Sequence, residues 1–253
     1  MSPTTTMAPT LTMKTLLLLI LALPVVGLAA GGHETLDRAP IDTRDAASIQ
    51  RGARTFVNYC LNCHSAQYMR YNRLMDLGLT EAEIQYNLMF AAKKVGEPMT
   101  VAMRTADAKQ WFGVPPPDLS VVARSRGADW LYTYLRSYYR DDSTVTGWNN
   151  IVFPNVGMPH ALWELQGQQA LKVEDKEGPH GRTHATSLVQ LTPGSLSPRQ
   201  YDAVVADLVN YLVFMGEPVR AARVRIGYLV LIALGVLFVL VYLLKQEYWK
   251  DVH

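Results

Sequence analysis

The sequence predicts a mainly α-helical fold with long loops and little sheet, followed by one C-terminal transmembrane helix. Three observations predict it. Apolar residues recur at helical spacing in four segments, Pro- and Gly-rich stretches separate those segments, and Ile226 to Leu244 runs 19 residues without a charge. Apolar recurrence near 3.6 residues marks a helix with one buried face. A 19-residue run at about 1.5 Å per residue approaches the ~30 Å hydrocarbon thickness of a bilayer.

The ends come first, because they decide how much chain is left for a soluble domain. Met13-Lys14-Thr15 is followed by a Leu/Ile-rich run to Leu28 and then Ala29-Ala30-Gly31-Gly32. One positive charge, an apolar core and a small-residue exit are the parts of a secretory signal peptide, here residues 1–30. The alternative is an uncleaved N-terminal anchor; Pro24 and the small residues favour cleavage near 29–31. Residues 1–12 carry no charge, which suggests translation from Met13. At the other end, residues 223–253 form an anchor with its span at 226–244 and a short tail. Tyr228 stands at one end of the span and Tyr242, Tyr248 and Trp249 toward the other, as interfacial aromatics do. Arg220, Arg223 and Arg225 before it and Lys245 and Lys250 after it give no clear positive-inside bias. The export signal therefore sets the direction, with residues 31–222 outside and the tail inside.

Between the ends, residues 46–59 read as a helix whose Gly52 allows a close backbone approach. Thr80 and Glu83 form a capping box that opens a second helix through about Lys94. A third runs from about Ala128 to Arg140, with Leu131, Tyr134, Leu135 and Tyr138 on one face. Ser197-Pro198 is an N-cap and first-turn pair that starts a fourth, ending at Gly216. Residues 186–192 alternate weakly and suggest a short strand. The net charge of +2 gives no basic field for nucleic acid, and the charged clusters at Lys93–Lys94 and Glu174–Glu177 read as solvated faces.

The only two cysteines stand in Cys60-Leu61-Asn62-Cys63-His64. This is the attachment pattern of a c-type haem. Two thiols at this spacing can add to the two vinyl groups along one porphyrin edge, and the adjoining imidazole can reach the iron. A Cys-x-x-Cys redox pair would sit in a thioredoxin-like alternation of strands and helices, which the chain lacks. A structural zinc site would need further thiol or imidazole ligands at suitable spacing. One covalent haem c on Cys60, Cys63 and His64, used for electron transfer, is the reading that uses all three residues.

A haem that only carries electrons has its sixth position filled. Met158 is the first choice, in the stiff loop Phe153-Pro154-Asn155-Val156-Gly157-Met158-Pro159-His160. A thioether ligand raises the reduction potential. Met99 and Met103 are rivals among ten methionines, and His160, His180 or His184, all expected to be exposed, could instead give a bis-histidine haem.

With these residues in view the chain resembles cytochrome c1, the haem subunit of the cytochrome bc1 complex. The resemblance runs from about Arg51 to the C-terminus, through Ser65-Ala66-Gln67-Tyr68-Met69-Arg70-Tyr71, Pro115-Pro116-Pro117-Asp118-Leu119-Ser120, Gly157-Met158-Pro159 and Gly216-Glu217-Pro218. It implies a class I-like cytochrome c haem domain in the periplasm, held single-pass in a bacterial inner membrane. It implies Met158 as axial ligand and Arg124 on a haem propionate, a surface arginine being the alternative. Trp130 stands where the family often has tyrosine, and no role is carried onto residues 164–189. The partners implied are cytochrome b, the Rieske iron–sulfur protein and a soluble c-type cytochrome. The chain would be the non-catalytic electron carrier of ubiquinol–cytochrome c reductase, doing no quinol chemistry itself. A free-standing membrane-anchored mono-haem cytochrome that shuttles electrons to an oxidase is the alternative. A haem sensor or enzyme with an open sixth site, and an assembly subunit with an incidental haem, are further rivals.

Overall fold

The computed structural model describes residues 36–178 and 181–251; the expected signal segment lies outside them. Helix α1, Ala46–Thr55, is capped by Asp45, whose carboxylate accepts from the Ser48 amide at 3.0 Å. It continues as one wide π turn, Phe56–Cys60, in which the Leu61 amide reaches back to the Phe56 carbonyl at 2.9 Å. Such wide turns frequently occur at functional sites because they re-aim the side chains that follow.

After the cysteine turn come strand β1, Ala66–Arg70, and a 3-10 stretch, Tyr71–Leu77. Helix α2 is Glu81–Asn87, with both bonds of the Thr80–Glu83 capping box present. It stops well short of Lys94. Residues 88–97 instead turn back so that the carbonyls of Val95 and Glu97 accept from the amides of Asn72 and Tyr71, and strand β2, Pro98–Met99, pairs antiparallel with β1. Non-local pairing outweighs the local helical pattern there.

Helix α3, Thr105–Phe112, and the single turn α4, Val122–Ser125, precede helix α5, Ala128–Arg136. The third expected helix therefore ends four residues before Arg140. Tyr138–Arg140 is strand β3, paired with β4, Trp148–Asn150, while Tyr138 stays buried. Helical turn α6, Trp163–Gln166, leads to a hairpin of β5, Gly167–Gly178, and β6, Gly181–Pro193. The short strand expected at 186–192 is thus one arm of a much longer ribbon, whose pairing partner lies in the stretch 164–189 that carries no family role.

Helix α7 is Pro198–Gly216, capped by Ser197 and Gln200 as a box with proline in its first turn. It crosses α1 very closely. A Cβ placed on Gly52 would lie 2.0 Å from the Asp207 carbonyl oxygen and 2.7 Å from the Tyr211 Cβ, so only glycine permits the contact. Around the crossing, Arg51 pairs with Asp207 at 2.6 Å, Ser48 donates to the same carboxylate at 2.6 Å, and Phe56 packs against Tyr211 with ring centroids 5.3 Å apart. Ile49, Ala53, Phe56, Leu208 and Tyr211 are buried here, so the two ends of the domain share one core. Helix α8, Arg220–Trp249, follows. Its stretch Ala222–Trp249 has mean hydropathy up to 2.8 and is unburied, and it is the one helix among the described residues long and apolar enough to cross a membrane.

Candidate functional site

The cysteine turn closes on itself: the amides of Cys63 and His64 both donate to the Cys60 carbonyl, at 3.1 and 2.9 Å. This puts two thiols and one imidazole on a single turn at the end of α1. Both cysteines are free and partly buried, and desolvation pushes the Cys60 thiol up to about 12. His64 is buried, and its Nδ1 lies 2.8 Å from the Pro117 carbonyl oxygen. A carbonyl can only accept, so Nδ1 carries the proton and Nε2 keeps its lone pair. Burial lowers the imidazole's pKa, against the opposing pull of the Pro117 carbonyl and Asp118. A neutral imidazole oriented through its other nitrogen is the form a metal requires.

The proline-rich segment is docked by the motif that follows it. The Leu119 amide donates to the Ser65 carbonyl at 2.8 Å, the Asp118 carboxylate accepts from the amides of Gln67 and Ser120 at 2.8 Å each, and the Ser120 hydroxyl accepts from the Tyr68 amide at 3.0 Å. These bonds fix Pro117 relative to the cysteine turn. A cleft of about 280 Å³ opens beside Cys63, lined by Val101, Met103, Pro115 and Pro116 among others.

The loop that carries Met158 meets the same segment. A Cβ on its neighbour Gly157 would stand 3.6 Å from the Phe112 carbonyl and from Val114, so the loop rests on residues 112–114. The same segment, three residues on, holds His64. Met158 is partly buried, and its sulfur accepts from the Tyr134 hydroxyl at 3.5 Å. Met99, by contrast, is fully buried in strand β2, where its sulfur accepts from the Tyr211 hydroxyl at 3.3 Å beside the α1–α7 crossing. Met103 lines the cleft beside Cys63.

His160 corrects the expectation of an exposed residue. It is buried, stacked on Tyr138 with centroids 4.7 Å apart and edge-on to Trp148, and its Nε2 is 2.7 Å from Gln166 Oε1. Burial drives its pKa down to about 4, which keeps the ring neutral as part of the packing. His180 and the side chain of His184 lie outside the described residues.

Arg124 is exposed, and its stem lies 3.3 Å from where a Cβ on Gly216 would be, with its charge near Glu217. The arginine on the methionine side is Arg126. Its guanidinium lies 5.0 Å over the Trp130 ring and 5.7 Å from that of Phe153, while Trp130 stacks on Tyr134 at 4.8 Å.

Two residues went unnoticed in the sequence. Asn150 is fully buried; its Oδ1 accepts from the amides of Val152 and Phe153 at 2.9 and 3.1 Å, and its Nδ2 donates to the Tyr134 carbonyl at 2.8 Å. Asn149 accepts from the Asn155 amide at 2.8 Å, holding that residue at a positive φ of 60°. The signal was a pair of amides directly after a tryptophan in a short apolar stretch, too common a pattern to single out.

The donor set fits a haem c: two thiols on one turn, one neutral imidazole with Nε2 available, and a thioether on a loop that leans on the same segment. A family model described as the Cytochrome C1 family matches residues 37–177. The chain belongs to the cytochrome c1 family. It is 52% identical over 235 residues to cytochrome c1 of Allochromatium vinosum, covering 92% of this chain and 96% of that one. It is 51% identical over 240 residues to a Nitrosomonas europaea protein named ammonia monooxygenase gamma subunit, covering 95% and 98%. A more distant relative is cytochrome c1 of Rhodospirillum rubrum, 28% identical over 243 residues, covering 82% and 83%. Cytochrome c1 is the electron-transfer subunit of the bc1 complex, and this chain is a member of that class. Haem c is the cofactor the family implies, and α8, the one long apolar helix among the described residues, suits a single-pass membrane protein.

Proposed function

We propose that Cys60 and Cys63 hold one haem c by thioether bonds, that His64 and Met158 are its axial ligands, and that the chain passes electrons from the Rieske iron–sulfur protein to a soluble c-type cytochrome. The domain, residues 31–222, works in the periplasm of a bacterial cell after removal of a signal peptide at residues 1–30. Helix α8 holds it beside cytochrome b, and residues 223–253 are its anchor and inward tail. The haem supplies a one-electron couple; quinol chemistry takes place elsewhere in the ubiquinol–cytochrome c reductase.

The observation that carries this reading is the orientation of His64. Its Nδ1 is tied to a main-chain carbonyl at 2.8 Å, which leaves Nε2 as the one nitrogen able to bind a metal. The contact of Gly157 with residues 112–114 supports Met158 as the second residue that would hold the iron, because one segment would then brace both donors. Of the two arginines, Arg126 has the better support as a partner for a haem carboxylate. Its charge sits over the aromatic pair beside the methionine loop, whereas Arg124 faces the end of α7.

Replacing Met158 by Leu tests the ligand set. The haem should stay on the denatured chain, while the methionine-to-iron absorption band disappears and the potential drops steeply. A surviving band would refute Met158 as ligand. The same substitution at Met103 should leave the band in place.

A further inference from the structure

Tyr134 belongs to neither the haem-attachment motif nor the axial pair, yet its hydroxyl points at the Met158 sulfur. Two phenols and one thioether make a short chain: Tyr138 to Tyr134 at 2.5 Å, then Tyr134 to the sulfur at 3.5 Å, an ordinary reach for a large sulfur acceptor. Each phenol has one proton. If Tyr134 donated to Tyr138, the Tyr138 proton would have no acceptor among the described bonds and the sulfur would receive none. The order that satisfies both protons directs that of Tyr134 to the sulfur. The ring cannot easily turn away. It is stacked on Trp130 at 4.8 Å and 11°, set edge-on to Tyr138 at 5.2 Å, and its own carbonyl is held by Asn150 at 2.8 Å.

We propose that Tyr134 is a positioning residue which, through its hydrogen bond to the Met158 thioether, fixes the direction of the sulfur and raises the reduction potential of the haem. A thioether sulfur has two lone pairs, so one can face a metal while the other accepts the phenol proton. Donation to the second pair draws density from the sulfur and makes it a poorer partner for the ferric state. The ferrous state gains by comparison. This inference rests on Met158 being the axial ligand.

The test is a redox titration of the assembled complex in detergent-solubilised membranes, read at the haem band and at the methionine-to-iron band. Tyr134→Phe should keep the haem and the methionine band but shift the potential downward. One hydrogen bond of ordinary strength corresponds to a roughly two- to ten-fold lower ferrous-to-ferric ratio at fixed poise. Tyr138→Phe should shift it the same way by less, because Tyr134 loses the donor that polarises it. An unchanged potential in Tyr134→Phe, alongside a lost methionine band in Met158→Leu, overturns the role of Tyr134 and leaves the ligand reading standing. A methionine band that survives Met158→Leu overturns both. If Tyr134→Phe does not accumulate, Tyr138→Phe decides: a lowered potential supports the proposal and an unmoved one ends it.

Discussion

Residues 60–64 and residues 149–158 both reach the segment 112–117, but they do so by different means. The first is a single turn closed by its own main chain, with both amide bonds returning to the Cys60 carbonyl. The second is a loop held from a distance: Asn150 ties it to α5 through the Tyr134 carbonyl, Asn149 ties it to Asp141, and Gly157 rests on residues 112–114. Local geometry makes a donor set robust to events elsewhere. Distant bracing makes a ligand sensitive to the whole domain. The thiols and the imidazole should therefore survive damage that releases the thioether.

Breaking the frame beneath both regions should have the largest effect. Gly52→Val puts side-chain atoms where the Asp207 carbonyl already stands, 2.0 Å from the first added carbon. The α1–α7 crossing must separate, at a cost of about 3 kcal/mol or more. The expected outcome is loss of accumulated haem-bearing protein, read by haem staining of membranes; normal levels would show that the crossing is not what positions the turn.

A smaller change should separate the two regions. Asn150→Ala leaves two amides of the methionine loop without their buried acceptor and cuts the loop's tie to the Tyr134 carbonyl on α5. Unsatisfied buried groups cost about 1–3 kcal/mol each, and partial rearrangement or water entry should bring the total to roughly 2–4 kcal/mol. Covalent haem should remain while the methionine-to-iron band weakens and melting moves down. Loss of covalent haem with an intact band in the residual protein would contradict the division drawn here.

The smallest effect belongs to a site remote from both. Thr80→Ala removes the capping box of α2 and should cost about 1 kcal/mol in thermal stability. The potential and both optical bands should stay where they are.

The same division explains what could be read in the sequence. Cys60, Cys63 and His64 stand out because their spacing alone suggests a shared chemistry, and the structure places them on one turn. The caps at Thr80 and Ser197 were legible for the same reason, as was Gly52 as a point of close approach. The ends of two helices were not. Residues 88–97 leave the helical path to bond with Tyr71 and Asn72, and Tyr138–Arg140 pairs with Trp148–Asn150; both are long-range choices invisible to periodicity. His160 looked like a loop histidine because a buried, stacked imidazole and an exposed one have the same sequence context. Arg124 and Arg126 are two positions apart, and only the packing of Trp130 and Phe153 distinguishes them.

The acceptor that orients His64 is a backbone oxygen rather than a side chain. Mutation at position 117 changes what hangs from the chain there but leaves that oxygen in the polypeptide, so no codon change can delete it. Genetic drift can alter the imidazole's tether only by moving the main chain, and Asp118 and Leu119 pin that chain on the far side. The orientation of His64 is therefore insulated from point substitution at its own anchor, a protection that a carboxylate or amide partner would not give.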